Sequence, residues 1–139
     1  MIRVAFAGTF AARLEAPVRA RLDVPCDVVV APEIEIATCL ADVDVLVTMA
    51  FTAEMAGAAK RLKLVQVPGA GLDRIDRAAI PAHTWLANAY GHEVGIAEYV
   101  VRRMAQAKGL SGCPGSAILR PYARHRGIRL RRNGQEALA

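Results

Sequence analysis

The residues best suited to chemistry are those of Pro68-Gly69-Ala70-Gly71-Leu72-Asp73-Arg74. Glycines that directly follow a strand let the backbone turn sharply and let a ligand approach the main-chain amides. The N–H groups of Gly69, Ala70 and Gly71 could therefore hold a small anion such as a carboxylate. The same glycines equally suit a turn that only reverses the chain. Gly69-x-Gly71 also opens like the GxGxxG dinucleotide fingerprint, but Arg74 stands where the third glycine belongs, which argues against a nucleotide seat. Asp73 and Asp76 have the look of a catalytic carboxylate pair. The simpler reading, which we favour, is that Asp73 caps the next short helix and Asp76 lies in its first turn.

Other candidates are weaker. His92 starts a helix and could meet a substrate there, although an N-terminal helix residue ordinarily faces solvent. Glu98 is mid-helix and suits a solvated or interface position. Trp85, inside a strand, reads as core or an interface anchor. His83, His92 and His125 have no metal-ligand spacing, and Cys26, Cys39 and Cys113 lack a CxxC, as expected of reduced thiols in a cytoplasmic protein. The acidic cluster of a receiver domain, a flavin-phosphate loop, a GxxxxGK[ST] loop and a nucleophile-elbow serine are all missing from the places where they would stand.

These loops need a scaffold, and the chain alternates strand and helix patterns to supply one. Apolar runs over Ile2–Ala7, Asp27–Val30, Asp44–Thr48, Leu64–Val67 and Thr84–Ala87 read as five buried strands. Between them, helices are expected over Phe10–Leu22, Glu33–Leu40, Thr52–Ala59 and Ile75–Ala79, and a last helix over His92–Gln106. Five such units predict an α/β fold, a flavodoxin-like doubly wound five-stranded parallel sheet of order 2-1-3-4-5. Ligands bind such sheets beyond the carboxyl ends of the strands. The candidate loops are thus Gly8–Phe10, Met49–Phe51, Pro68–Asp73 and Asn88–His92.

Charge divides the 139 residues in two. Met1–Ala107 holds 11 basic and 12 acidic residues, whereas Lys108–Ala139 holds 7 basic and 1 acidic, so the net charge of +5 belongs to the end of the chain. Residues 1–106 form the expected domain. Residues 107–139 form a basic tail punctuated by Gly and Pro, in which no regular element is expected. Three readings of the tail stand: a nucleic-acid-binding arm, a disordered terminus, or sequence translated out of frame. The first has little aromatic interleaving behind it. No apolar run reaches the ~18 residues of a membrane span.

Two blocks carry a resemblance. Leu62-Lys63-Leu64-Val65-Gln66-Val67-Pro68-Gly69-Ala70-Gly71-Leu72-Asp73-Arg74-Ile75-Asp76 and Asn88-Ala89-Tyr90-Gly91-His92-Glu93-Val94-Gly95-Ile96-Ala97-Glu98-Tyr99-Val100 resemble, in order and spacing, the substrate (catalytic) domain of the D-isomer-specific 2-hydroxyacid dehydrogenases. The likeness covers about Met1–Val101. It implies an oxidoreductase that interconverts 2-oxo acids and D-2-hydroxy acids with NAD or NADP. Gly69, Ala70 and Gly71 would hold the substrate carboxylate, with His92 nearby. It also implies a homodimer that pairs largely through a second, nucleotide-binding domain. That domain's fingerprint and its catalytic Arg, Glu and His do not follow residue 106, so no catalytic or cofactor-binding residue is assigned. The chain by itself is expected to bind no cofactor and to be inactive. The alternatives are a standalone module of the same fold that binds a small carboxylate or a partner protein, and a nucleic-acid binder acting through the tail.

Overall fold

The computed structural model describes residues 1–91, 95–97, 99–100, 103–104, 127–132 and 135–138. Strands β1 (Ile2–Ala7), β2 (Cys26–Ala31), β3 (Val45–Thr48), β4 (Leu64–Val67) and β5 (Trp85–Tyr90) are mutually parallel in the order β2-β1-β3-β4-β5. This is the expected sheet. Its strands are nearly continuous apolar runs because both faces are covered.

Alternation along β1 divides the core. Val4 and Phe6 point to one face with Val47 and Ala11. Ala5 and Ala7 point to the other, with Leu46, Val65, Val67, Leu86, Ile36, Leu40, Met55 and Leu62. Helix α3 (Ala53–Ala58) covers the second face and is N-capped by Thr52, whose Oγ1 accepts from the Met55 N–H at 3.3 Å. Thr52→Ala should cost about 1 kcal/mol of unfolding free energy, read as a lower urea midpoint at unchanged slope.

Five expectations change. The single helix over Phe10–Leu22 is instead α1 (Gly8–Ala12) and α2 (Glu15–Arg19). Pro17 is the reason: it has no N–H to offer the carbonyl of Arg13, and it is tolerated only in the first turn of a new helix. The helix over Glu33–Leu40 shrinks to a 3-10 turn at Ile36–Cys39, and that over Ile75–Ala79 to one at Arg77–Ala79. β5 runs on through Asn88–Tyr90, which the sequence reading placed in a loop. It does so because a further strand lies against it. β6 (Gly127–Arg132) pairs antiparallel with β5, and β7 (Gln135–Leu138) pairs antiparallel with β6, giving seven strands in all. The tail was expected to hold no regular element. Yet Ile128-Arg129-Leu130-Arg131 alternates with the period of two that marks a strand.

The predicted helix over His92–Gln106 is helical at each of its described residues, 95–97, 99–100 and 103–104. Ile96 and Val100 there are exposed, and the Arg103 guanidinium stacks 5.8 Å from the Tyr99 ring centre. His92, Glu98 and Cys113 lie outside the described residues. No described helix is long and apolar enough to cross a membrane.

Candidate functional site

The carboxyl ends of the parallel strands bring the candidate loops together, and the amino ends hold the strands in register. The register is kept by Asp44, just before β3, whose side chain is buried. Its carboxylate accepts the Arg3 N–H at 3.1 Å and lies 3.0 Å from Lys63 Nζ and 3.3 Å from Arg61 Nη2. The Arg3 amide, with the Lys63 ammonium beside it, lowers the carboxyl pKa to about 2. Its main chain donates to Arg3 O and accepts from Lys63 N and Leu64 N, so one residue ties β1, β3 and β4 together. The Arg3 guanidinium pairs with Asp42 and Asp27 on the same edge. Further along, the buried Thr84 hydroxyl donates to Leu62 O at 2.7 Å, joining the starts of β4 and β5.

At the carboxyl edge, the segment after β3 is clamped locally. The Thr48 hydroxyl donates to Ala50 O at 2.7 Å and accepts from Ala50 N at 3.2 Å. Phe51 then forms a bridge with Ile75: Phe51 N donates to Arg74 O, and Asp76 N donates to Phe51 O. That bridge fixes the far end of the glycine loop.

The loop, Pro68–Asp73, has two other supports. A side chain at Gly69 would stand 3.4 Å from Met49 Cε, so the loop after β3 packs directly on it. From β5, the buried Asn88 donates from Nδ2 to Ala70 O at 3.0 Å. The sequence reading assigned no role to Asn88. The signal was available, since a short amide at the end of a strand adjacent to β4 can reach β4's loop. A Cβ at Gly71 would come within 2.8 Å of Asp73 Oδ1, so Asp73 folds back over the loop. Gly69 is half-buried, whereas Ala70 and Gly71 are exposed. Among the described residues, the N–H groups of Gly69, Ala70 and Gly71 donate to no protein acceptor.

The capping assignment moves by three residues. Asp76, not Asp73, caps the short turn, its Oδ1 accepting from Ala78 N at 3.1 Å and Ala79 N at 3.3 Å. One oxygen of Asp76 is thereby engaged by the main chain. Among the described residues, no three His, Cys, Asp or Glu side chains are placed to hold a metal ion. Of the expected substrate-binding residues, the structure brings Gly69, Ala70 and Gly71 to the carboxyl edge, while His92 lies outside the described residues.

The family model for the D-isomer specific 2-hydroxyacid dehydrogenase catalytic domain matches residues 9–131, most of the chain. The chain belongs to this family. Solved structures share the fold of its catalytic domain. NAD+-bound 3-phosphoglycerate dehydrogenase of Entamoeba histolytica superposes with a TM-score of 0.60 at 18% identity, over 71% of this chain and 36% of that one. A D-isomer specific 2-hydroxyacid dehydrogenase family protein of Aeromonas salmonicida gives 0.55 at 15% identity, over 77% and 39%. NAD-dependent formate dehydrogenase of Staphylococcus aureus gives 0.53 at 21% identity, over 78% and 41%. No curated protein matches the chain. The catalytic-domain chain thus spans about two fifths of the length of these structures.

The glycine loop does not have the form of a dinucleotide seat. A pyrophosphate seat needs a third glycine and a helix N-terminus directly after the loop. Here Arg74 takes the glycine's place, and the chain enters the Phe51–Ile75 bridge and then a three-residue 3-10 turn.

Proposed function

We propose that this chain is the substrate-holding part of an NAD(P)-dependent oxidoreductase that interconverts D-2-hydroxy acids and 2-oxo acids. The observation that carries this reading is the glycine loop. It sits at the carboxyl edge of a parallel sheet, the place where such folds take ligands. It is braced by Met49, Asn88 and the Phe51–Ile75 bridge. Its three N–H groups have no acceptor among the described residues. Amides held in place by their neighbours stabilise a carboxylate without reorganising. His92 stands next to this edge in sequence and is proposed to line the same substrate.

Hydride transfer needs a nicotinamide held against the substrate carbon and a group to move the hydroxyl proton. Neither comes from the residues assigned here, so the chain alone binds acid and turns nothing over. The nucleotide-binding partner domain would supply both.

The test is a titration of the chain with glyoxylate and pyruvate, followed by backbone amide resonances. The shifts are expected at Gly69, Ala70 and Gly71, and the corresponding neutral amides should leave these residues unmoved. Gly69→Val, which crowds Met49 and the loop, should weaken binding about tenfold or more. Shifts confined to other residues, or turnover of NADH by the chain alone, would overturn the reading.

A further inference from the structure

A pocket lies at the carboxyl edge, reached from the glycine loop by Arg74, the residue that follows it. Its volume is about 560 Å³, within the range of small-molecule sites. The ends of β1 and β2 form its walls. Gly8, Ala12, Val30 and Pro32 line it, with Glu33 and Arg74 at its polar side. Gly69, Ala70 and Gly71 are not among its lining residues.

Two features make the polar side specific. Gly8 has φ of +83°, and a Cβ there would stand 2.9 Å from Glu33 Cγ. Only glycine fits both the dihedral and the space, so the Glu33 side chain lies flat against the main chain at the end of β1. Arg74 reaches over from the loop after β4, and its Nη2 meets Glu33 Oε2 at 2.7 Å. That ion pair engages one carboxylate oxygen and one guanidinium nitrogen, out of two oxygens and five N–H donors in all. The charges are partly open to solvent, at 58% for the Arg74 side chain and 30% for that of Glu33. A surface pair of this kind adds little to stability. Its placement at the mouth of an apolar-floored pocket is what calls for a role.

Charge decides the ligand class. A free anion such as phosphate would meet Arg74 and be repelled by Glu33. A simple amine would meet the reverse. A molecule that carries both charges a few bonds apart satisfies both groups at once. We infer that this pocket binds a small zwitterion of the α-amino acid class, its carboxylate on Arg74 and its ammonium on Glu33. An aliphatic side chain on that ligand would lie on Ala12, Val30 and Pro32. The site is separate from the carboxylate-holding loop, and Arg74 connects the two: its carbonyl accepts from Phe51 N in the bridge that ends the glycine loop.

The test uses the whole chain and three probes of one shape. L-valine carries both charges, isobutylamine lacks the carboxylate and 3-methylbutanoate lacks the ammonium. Calorimetry should find L-valine bound at least about tenfold more tightly than either relative. Amide resonances of Gly8, Glu33 and Arg74 should move. Glu33→Gln and Arg74→Gln keep the side-chain size, and each should weaken L-valine about tenfold with the thermal midpoint little changed. Gly69→Val should leave L-valine binding as it was, which separates this site from the glycine loop. Three results would overturn the inference: no L-valine binding at about 20 mM, equal binding of 3-methylbutanoate or isobutylamine by the Gly69→Val chain, or L-valine binding that survives both charge-removing variants.

Discussion

Phe51→Ala is expected to lower the unfolding free energy by about 3–5 kcal/mol. Phe51 is 1% exposed and lies in the larger core cluster with Ile75, Val67 and Met55. Removing its ring forfeits the burial and leaves a cavity that the rigid sheet edge closes only in part. The position has a second consequence. Phe51 is also the residue whose main chain bridges to Arg74 and Asp76. With the ring gone, that bridge loses the packing that holds it. The amide hydrogens of residue 51 and Asp76, which are bonded in the bridge, should then exchange faster than in the parent chain, even where the variant stays folded. Urea unfolding followed by circular dichroism gives the stability, and hydrogen exchange reads the bridge. A loss below about 1.5 kcal/mol would mean that the edge repacks freely. The loop would then owe its shape to Asn88 and Met49 rather than to the bridge.

Acid should destabilise the chain through Asp44. Its folded pKa is lowered to about 2 from an ordinary 3.8, because the Arg3 N–H and the Lys63 ammonium favour the charged carboxylate. A depressed carboxyl pKa contributes stability that is fully present above the unfolded value. That stability is lost as pH falls from about 5 toward 2. The exposure of Arg61 and Lys63 screens their share, so the contribution is about 1–2 kcal/mol rather than the full linkage value. Asp44→Asn keeps an acceptor for the Arg3 N–H but loses the charge. Its stability should therefore depend less on pH between 5 and 2 than that of the parent. Asp44→Ala also leaves the Arg3 N–H without its acceptor and should cost about 2–3 kcal/mol at neutral pH. Chemical denaturation across that pH range checks both. Parallel pH curves for parent and Asp44→Asn would show that another carboxylate carries the acid sensitivity.

The residues differ in how far they could be read before the fold was known. The parallel strands were legible because each is a short apolar run ended by Gly, Pro or a polar residue, and burial on both faces demands such runs. The split at Pro17 was missed although its cause is local: the apolar face through Leu14, Val18 and Leu22 predicted one helix, but a proline inside a helical pattern removes a hydrogen bond wherever it stands. The cap at Asp76 was not legible, because Asp73 and Asp76 offer the same side chain and only the bridge between Phe51 and Ile75 decides which one begins the turn. The continuation of β5 through Tyr90 was hidden for a related reason. Its cause is β6, almost forty residues further along the chain.

Local pattern thus determined the parallel α/β sheet, its strand order, the glycine loop at Gly69–Gly71 and the family. Each rests on residues adjacent in sequence or on the rule that places loops at strand ends. The tertiary structure decided which residues hold that loop and what else shares its edge. Met49, Asn88 and Phe51 support it from other strands, and Glu33 meets Arg74 across 41 positions of sequence. Such contacts depend on how the strands are stacked side by side, and short-range spacing carries no record of it.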